Sequence, residues 1–499
     1  MQYHKRLLIA SLSIAVLFPL CARADVRLPD VLGDHMVLQE NSDAMLWGWA
    51  YAGETVLIET SWGIKTQVVA DAKGEWRVKL KTPAAQPLDK GLHPENITFT
   101  VPGENAVQLK DVLIGEVWVC SGQSNMAMIL GPDYPQGNNN WFGEAFWKEE
   151  SKNAERPGLR LFNVEKTAAA TPQVDCKGVI PDHIRLPKDK DGLTPYVKRD
   201  WQICTFETAT YFSAVGYYFG ATLQEKLNVP VGLVTCPVGG TPIESWISLD
   251  ALHTLPDYSK ATTEVHRNGN AALFNGMIAP LTPMKIKGVL WYQGESNMGM
   301  GSRYGILFQV LINDWRRRFD NAELPFYFVQ LAPFGNGRSG QAAALREAQA
   351  SALQLKNTGM AVTNDVGEPG NIHPKNKRDI GRRLAWQALN KTYGYKEIAA
   401  DGPAFQALTF KDGKLNITFQ DLGGGLISRD AKPLNCFEIA GPDHKFVPAT
   451  AIIEGDEVAV SSPVVSQPKT ARFAWGDGDV PNLMSKNGLP AAQFSAELK

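Results

Sequence analysis

Ser124 stands in the stretch Ser121-Gly122-Gln123-Ser124-Asn125-Met126, where a hydroxyl follows an apolar run and a glycine. A serine hydroxyl is a weak nucleophile at neutral pH. It becomes effective when an imidazole takes its proton and a third group orients that imidazole. The stretch Asn364-Asp365-Val366-Gly367-Glu368-Pro369-Gly370-Asn371-Ile372-His373-Pro374 supplies an imidazole at His373 and carboxylates at Asp365 and Glu368. Two more stretches supply donors for a developing oxyanion. Cys236-Pro237-Val238-Gly239-Gly240-Thr241-Pro242 has glycine that lets a backbone N–H come close to a ligand, and Gln293 and Asn297, in Trp291-Tyr292-Gln293-Gly294-Glu295-Ser296-Asn297, bring side-chain amides. Such a set performs acyl transfer through a serine. Each residue also has a plainer reading: Ser124 caps a helix, Gly239 turns the chain, Gln293 belongs to ordinary loop polarity and His373 packs. The α/β-hydrolase elbow G-x-S-x-G is not matched, because Met126 occupies its last position.

What favours chemistry is where the four stretches fall. Apolar, β-branched runs at Glu116–Cys120, Val229–Cys236, Gly288–Tyr292, Phe326–Leu331 and Met360–Thr363 alternate with amphipathic, helix-length segments at Ser213–Leu227, Arg303–Phe319, Gln341–Leu355 and Lys377–Tyr393. This alternation predicts βαβ units and a parallel sheet covered on both faces. Active sites of such sheets lie at the carboxyl ends of the strands, where Ser124, Gly239, Gln293 and His373 all fall.

The flanks differ. Between residues 25 and 109, short β-type runs such as Met45–Trp49, Thr55–Thr60, Lys65–Ala70, Trp76–Leu80 and Ile97–Val101 alternate with turn signals, predicting a small β-sandwich. Residues 399–499 repeat the pattern with Leu415–Phe419, Cys436–Ile439, Val458–Val460 and Ala471–Trp475. The expected division is therefore a leader over 1–24, an N-terminal β-sandwich over 25–109, an α/β domain over 110–398 and a β-rich domain over 399–499. The leader reading rests on the basic His4-Lys5-Arg6, the apolar Leu7 to Leu20 and the small-residue site Ala22-Arg23-Ala24, the three parts of a secretory signal. The apolar stretch is too short for a membrane span, which needs roughly twenty residues. The expected location is secreted or periplasmic.

Composition sets the outer limits. The 499 residues are 20% charged and 44% hydrophobic, as in folded globular proteins. The net charge of −2 becomes −5 without Lys5, Arg6 and Arg23, which argues against nucleic acid or an anionic membrane as partner. Five cysteines follow the leader, at 120, 176, 204, 236 and 436; being odd in number they leave at least one free, and Cys176 with Cys204 is the candidate pair. No cysteine or histidine spacing matches a metal site, so neither metal nor cofactor is expected.

Gly122-Gln123-Ser124-Asn125, Gln293-Gly294-Glu295 and Ile372-His373-Pro374 together resemble the blocks of the SGNH hydrolases, in particular the sialate O-acetylesterase family, and Asp34-His35-Met36-Val37-Leu38-Gln39 and Gly488-Leu489-Pro490-Ala491 extend the resemblance over nearly the whole chain. The resemblance implies a flavodoxin-like catalytic domain and metal-free serine esterase chemistry on O-acetylated sugars. It makes Ser124 the nucleophile and His373 the base. The oxyanion hole would be the N–H groups of Ser124 and Gly239 with the Gln293 side chain, Asn297 being the alternative donor. The superfamily carries Asp three residues before its His, where this chain has Gly370. Asp365 is preferred as the orienting acid because it directly follows a predicted strand; Glu368, or a Ser–His dyad with a backbone carbonyl, is the alternative. Tyr134, Trp141, Trp246 and Trp291 are candidate sugar-stacking residues, with plain packing as the other reading. An acetylesterase for plant polysaccharides such as xylan or xyloglucan is the runner-up, and a non-catalytic carbohydrate-binding protein comes third. The sequence leaves the oligomeric state open.

Overall fold

The computed structural model describes residues 26–131, 145–179, 201–335, 337 and 339–498. The leader expected over 1–24, Tyr134 and Trp141 lie outside these residues. The central sheet contains β1 (Val107–Gly122), β2 (Arg156–Asn163), β3 (Gln202–Cys204), β4 (Val231–Thr235), β5 (Gly288–Tyr292), β6 (Phe326–Val329) and β7 (Thr358–Ala361). Their spatial order is β7-β6-β5-β1-β4-β2-β3, all neighbours parallel except the antiparallel edge strand β3. Leaving out β2 and β3, the strands run 2-1-3-4-5 in chain order. β4, β5, β6 and β7 are buried at every position, as strands covered on both faces must be.

The two faces can be told apart from register. Trp118 sits opposite Gly288 and Ser121 opposite Trp291, so Trp118 and Trp291 point to opposite sides of the sheet. Trp118 meets Phe219 of α2 (Ala214–Leu227) edge-on at 4.9 Å. Trp291 packs on Phe308 and Trp315 of α3 (Ser302–Arg318), which itself lies against α4 (Gln341–Ala350). α5 (Lys377–Lys391) pairs with α2. Ser213 caps α2, its Oγ accepting from Gly216 N at 3.1 Å.

β1 is longer than the sequence predicts, and the expected 109/110 boundary falls inside it. Its first part pairs antiparallel with Glu95–Thr100 and its middle pairs parallel with Val37–Gln39 before it enters the central sheet. The Asp34–Gln39 block has a structural role at this passage. Asp34 Oδ1 accepts from Lys110 N at 2.9 Å, and Gln39 Oε1 accepts from Val117 N at 2.9 Å. The N-terminal strands share one apolar core with the α/β region.

The C-terminal residues form two four-stranded antiparallel sheets, one built on Lys414–Gln420 and Glu457–Ser461, the other on Phe437–Ala440 and Thr470–Phe473. Leu415, Ile417, Val458 and Val460 of one sheet meet Phe437, Ile439, Phe473 and Phe494 of the other in a separate core, as in a sandwich. Fully buried Arg346 of α4 ties this unit to the centre by donating to Ala474 O at 3.1 Å and Gly476 O at 3.2 Å.

The candidate pair Cys176 and Cys204 is not bonded. Both thiols are free and buried, Cys204 lying on edge strand β3 with Sγ 3.3 Å from Ala154 O; burial pushes its thiol up to about 12. Among the described residues, no helix is long and apolar enough to cross a membrane.

Candidate active site

β1 ends at Gly122, whose φ is +136°. A Cβ built there would lie 2.1 Å from Tyr292 O, so only glycine lets the chain turn this tightly against β5. Gln123 N then donates to the same carbonyl at 2.9 Å, and the chain enters α1 (Ser124–Ala127), a single turn with Ser124 at its first position. This tight strand-to-helix turn holds the Ser124 hydroxyl at the carboxyl edge of the sheet.

His373 arrives from the far side, on the loop between β7 and α5. Its Nε2 lies 2.9 Å from Ser124 Oγ, within hydrogen-bonding distance although 249 residues separate them. The loop is shaped by its own polar residues. Asn371 Oδ1 accepts from His373 N at 3.0 Å, and Glu368 Oε1 accepts from Lys375 N at 2.8 Å. Burial, followed by the nearby Lys377 ammonium, lowers the His373 pKa below its ordinary value and favours the neutral, proton-accepting imidazole.

Gly239, after β4, fits the donor role. A Cβ there would sit 3.5 Å from Ser124 Cβ, which places its backbone directly beside the hydroxyl-bearing residue. Among the described residues neither its N–H nor that of Ser124 donates a hydrogen bond, and a Cβ at Gly239 would lie 4.0 Å from Ser124 N.

Gln293 does not fit its expected role. It is fully buried, and both hydrogens of its amide are engaged, Nε2 donating to Thr241 O at 3.1 Å and to Asn297 Oδ1 at 2.7 Å. Tyr304 donates to its Oε1 at 2.9 Å. Asn297 is equally occupied: its Nδ2 donates to Glu244 Oε2 at 2.9 Å and contacts Met300 Sδ, and its Oδ1 accepts from Ile243 N. The pair pins the turn after β5 to the Gly239 loop.

Asp365 is also placed differently from expectation. Its two carboxylate oxygens accept from Arg383 Nη1 and Nη2 of α5, both at 2.7 Å, and both side chains are buried. Adjacency to β7 puts Asp365 where α5 passes, and the guanidinium fork, rather than the imidazole, claims its oxygens. Glu368 serves the loop backbone. Trp246 and Trp291 are buried and meet edge-on at 5.9 Å, which makes them core residues and not sugar platforms.

Asn125 and Glu295 also stand in these sequence blocks, and their roles emerge only from the structure. Asn125 Nδ2 donates to Glu295 Oε1 at 2.5 Å and to Ile372 O at 3.1 Å, while its Oδ1 accepts from Lys377 Nζ at 2.5 Å. Asn125 therefore fastens the serine turn to the loop bearing His373. The available signal was Lys377 itself, a cation at the positive first turn of a predicted helix, where charge of that sign is disfavoured.

An α/β scaffold carrying a Ser–His pair and backbone donors at the strand ends defines a hydrolase of the serine-esterase type. Residues 191–390 match the family model described as carbohydrate esterase, sialic acid-specific acetylesterase. The chain is 30% identical to human sialate O-acetylesterase over 88% of this chain and 86% of that one. It is 29% identical to the rat sialate O-acetylesterase, with 90% and 89% covered. A crystal structure of a carbohydrate acetylesterase from Xanthomonas citri superposes with a TM-score of 0.81 at 32% identity, over 95% of this chain and all of that one. The chain belongs to the sialate O-acetylesterase family and is a carbohydrate esterase.

Proposed function

We propose that the protein removes acetyl groups from O-acetylated sialic acid through an acetyl-serine intermediate at Ser124. The observation that carries this reading is the 2.9 Å contact between His373 Nε2 and Ser124 Oγ at the carboxyl edge of the sheet. His373, neutral at the start, takes the Ser124 proton as Oγ attacks the acetyl carbonyl. The N–H groups of Ser124 and Gly239 stabilise the tetrahedral oxyanion. His373 then returns the proton to the departing sugar oxygen, and water activated by the same imidazole releases acetate. The strand order 2-1-3-4-5 supports a flavodoxin-like layout for the catalytic region. We propose also that this region runs to about residue 398 between two β-rich units, sharing its strand Val107–Gly122 with the first of them, and that residues 1–24 export the chain to a secreted or periplasmic location.

Comparing acetate release from O-acetylated sialic acid and from acetylated xylan tests the substrate. A kcat/KM higher by tenfold or more on the sialic acid supports the proposal, and the reverse ratio overturns it in favour of a plant polysaccharide.

A further inference from the structure

Lys377 is fully buried at the first position of α5, so both desolvation and the helix dipole oppose its charge. What surrounds it offsets that cost. Asn125 Oδ1 accepts from Nζ at 2.5 Å, the Tyr292 ring lies 5.3 Å away, and the Glu295 carboxylate is reached across the Asn125 amide. The amide is oriented without ambiguity, its oxygen towards the cation and its nitrogen towards the carboxylate and Ile372 O, one residue before His373. Lys377, Asn125 and Glu295 thus form a hydrogen-bonded chain in which Asn125 follows Ser124 and also holds the residue before His373.

Resting on the reading of Ser124 and His373 as nucleophile and base, we propose that Lys377 is a positioning residue for the reaction. Through Asn125 it locks the serine turn to the loop carrying His373, and its charge keeps the imidazole neutral and ready to accept the proton. The charged groups that the described residues bring near His373 are consistent with this. Glu368, on the same loop, is engaged by Lys375 N and Asn371; Asp365, at the end of β7, is engaged by Arg383; and Glu295, after β5, acts from behind Asn125. Lys377, on α5, is the cation among them that bears on the imidazole.

The test is the pH profile of kcat/KM for acetate release by Lys377→Met and Glu295→Gln, with folding checked by circular dichroism. Lys377→Met is expected to lower kcat about tenfold or more with KM within about twofold, and to move the acid limb up by about one pH unit. Glu295→Gln keeps an acceptor for Asn125, and because burial raises the Glu295 carboxyl its acid limb is expected to stay in place or move down. An upward shift in Lys377→Met alone supports the proposal. A loss of kcat in Lys377→Met with the limb unmoved, or an upward shift in both variants, overturns it. Should Lys377→Met fail to fold, Lys377→Gln, which keeps a donor for Asn125 without the charge, is read against the same two outcomes. Failure here leaves the Ser124 and His373 roles standing, since those are judged by loss of turnover on replacing Ser124.

Discussion

Replacing Asp365 with Asn separates two accounts of the loop after β7. The Asp365–Arg383 pair has side chains only 6% and 5% exposed, with two parallel 2.7 Å hydrogen bonds. In Asp365→Asn the amide keeps one acceptor oxygen but points its NH2 at the second guanidinium nitrogen. The buried Arg383 charge is then left uncompensated. Breaking such a pair costs about 3–5 kcal/mol, and we place this variant near the lower end, about 3 kcal/mol, because Arg383 Nη1 also donates to Val362 O at 2.7 Å. At roughly 2 °C per kcal/mol for a domain of this size, Tm should fall by about 6 °C. Turnover of the folded enzyme should change by less than about threefold, because the carboxylate engages Arg383. An acid that orients a catalytic histidine behaves differently, its amide replacement lowering kcat by about 10⁴ in serine proteases. Differential scanning calorimetry and initial rates of acetate release on the same preparation decide between them. A kcat reduced a thousandfold with Tm unchanged would refute the structural assignment of Asp365.

Gln293→Ala should destabilise the protein by about 2–3 kcal/mol through the buried partners it leaves unsatisfied, measured by urea denaturation. Its kcat should stay above the hundredfold loss typical of a missing oxyanion donor, and a larger loss would restore Gln293 to that role. The acid limb of kcat/KM should be centred below the ordinary histidine value of about 6.5, because burial and Lys377 lower the His373 pKa and protonation of this base stops the reaction. A stopped-assay profile with its limb centred above that value would contradict the assignment of His373.

How far these features can be read from sequence depends on whether a local signal exists. Gly288–Tyr292 and Thr55–Thr60 form strands at the residues predicted, because uninterrupted apolar or alternating runs specify their own burial. β2 has no clear strand signal because Pro157, Gly158 and Arg160 break its pattern. Arg160 is nonetheless 1% exposed, its guanidinium received by the distant Asp111 carboxylate at 2.7 Å. Ser124 and His373 could be named from the strand ends they follow, and the fold brings them together. Partner choice could not be read in the same way. Asp365 meets Arg383 across eighteen residues of chain, Gln293 is enclosed by Thr241 and Asn297, and both outcomes depend on groups that meet only in three dimensions. Trp246 and Trp291 illustrate the same limit, since an aromatic near a motif is positioned by packing that sequence spacing does not encode.

The central claim is that acetyl passes through Ser124. Acid quenching of the enzyme during turnover of O-acetylated sialic acid, followed by peptide mass spectrometry, measures this directly when run beside Ser124→Ala. The account predicts one added acetyl group on the peptide containing Ser124, absent in Ser124→Ala, together with a loss of acetate release by several orders of magnitude in that variant. A folded Ser124→Ala enzyme that keeps more than about a tenth of wild-type kcat, or an acetyl group carried on a different residue, would contradict it.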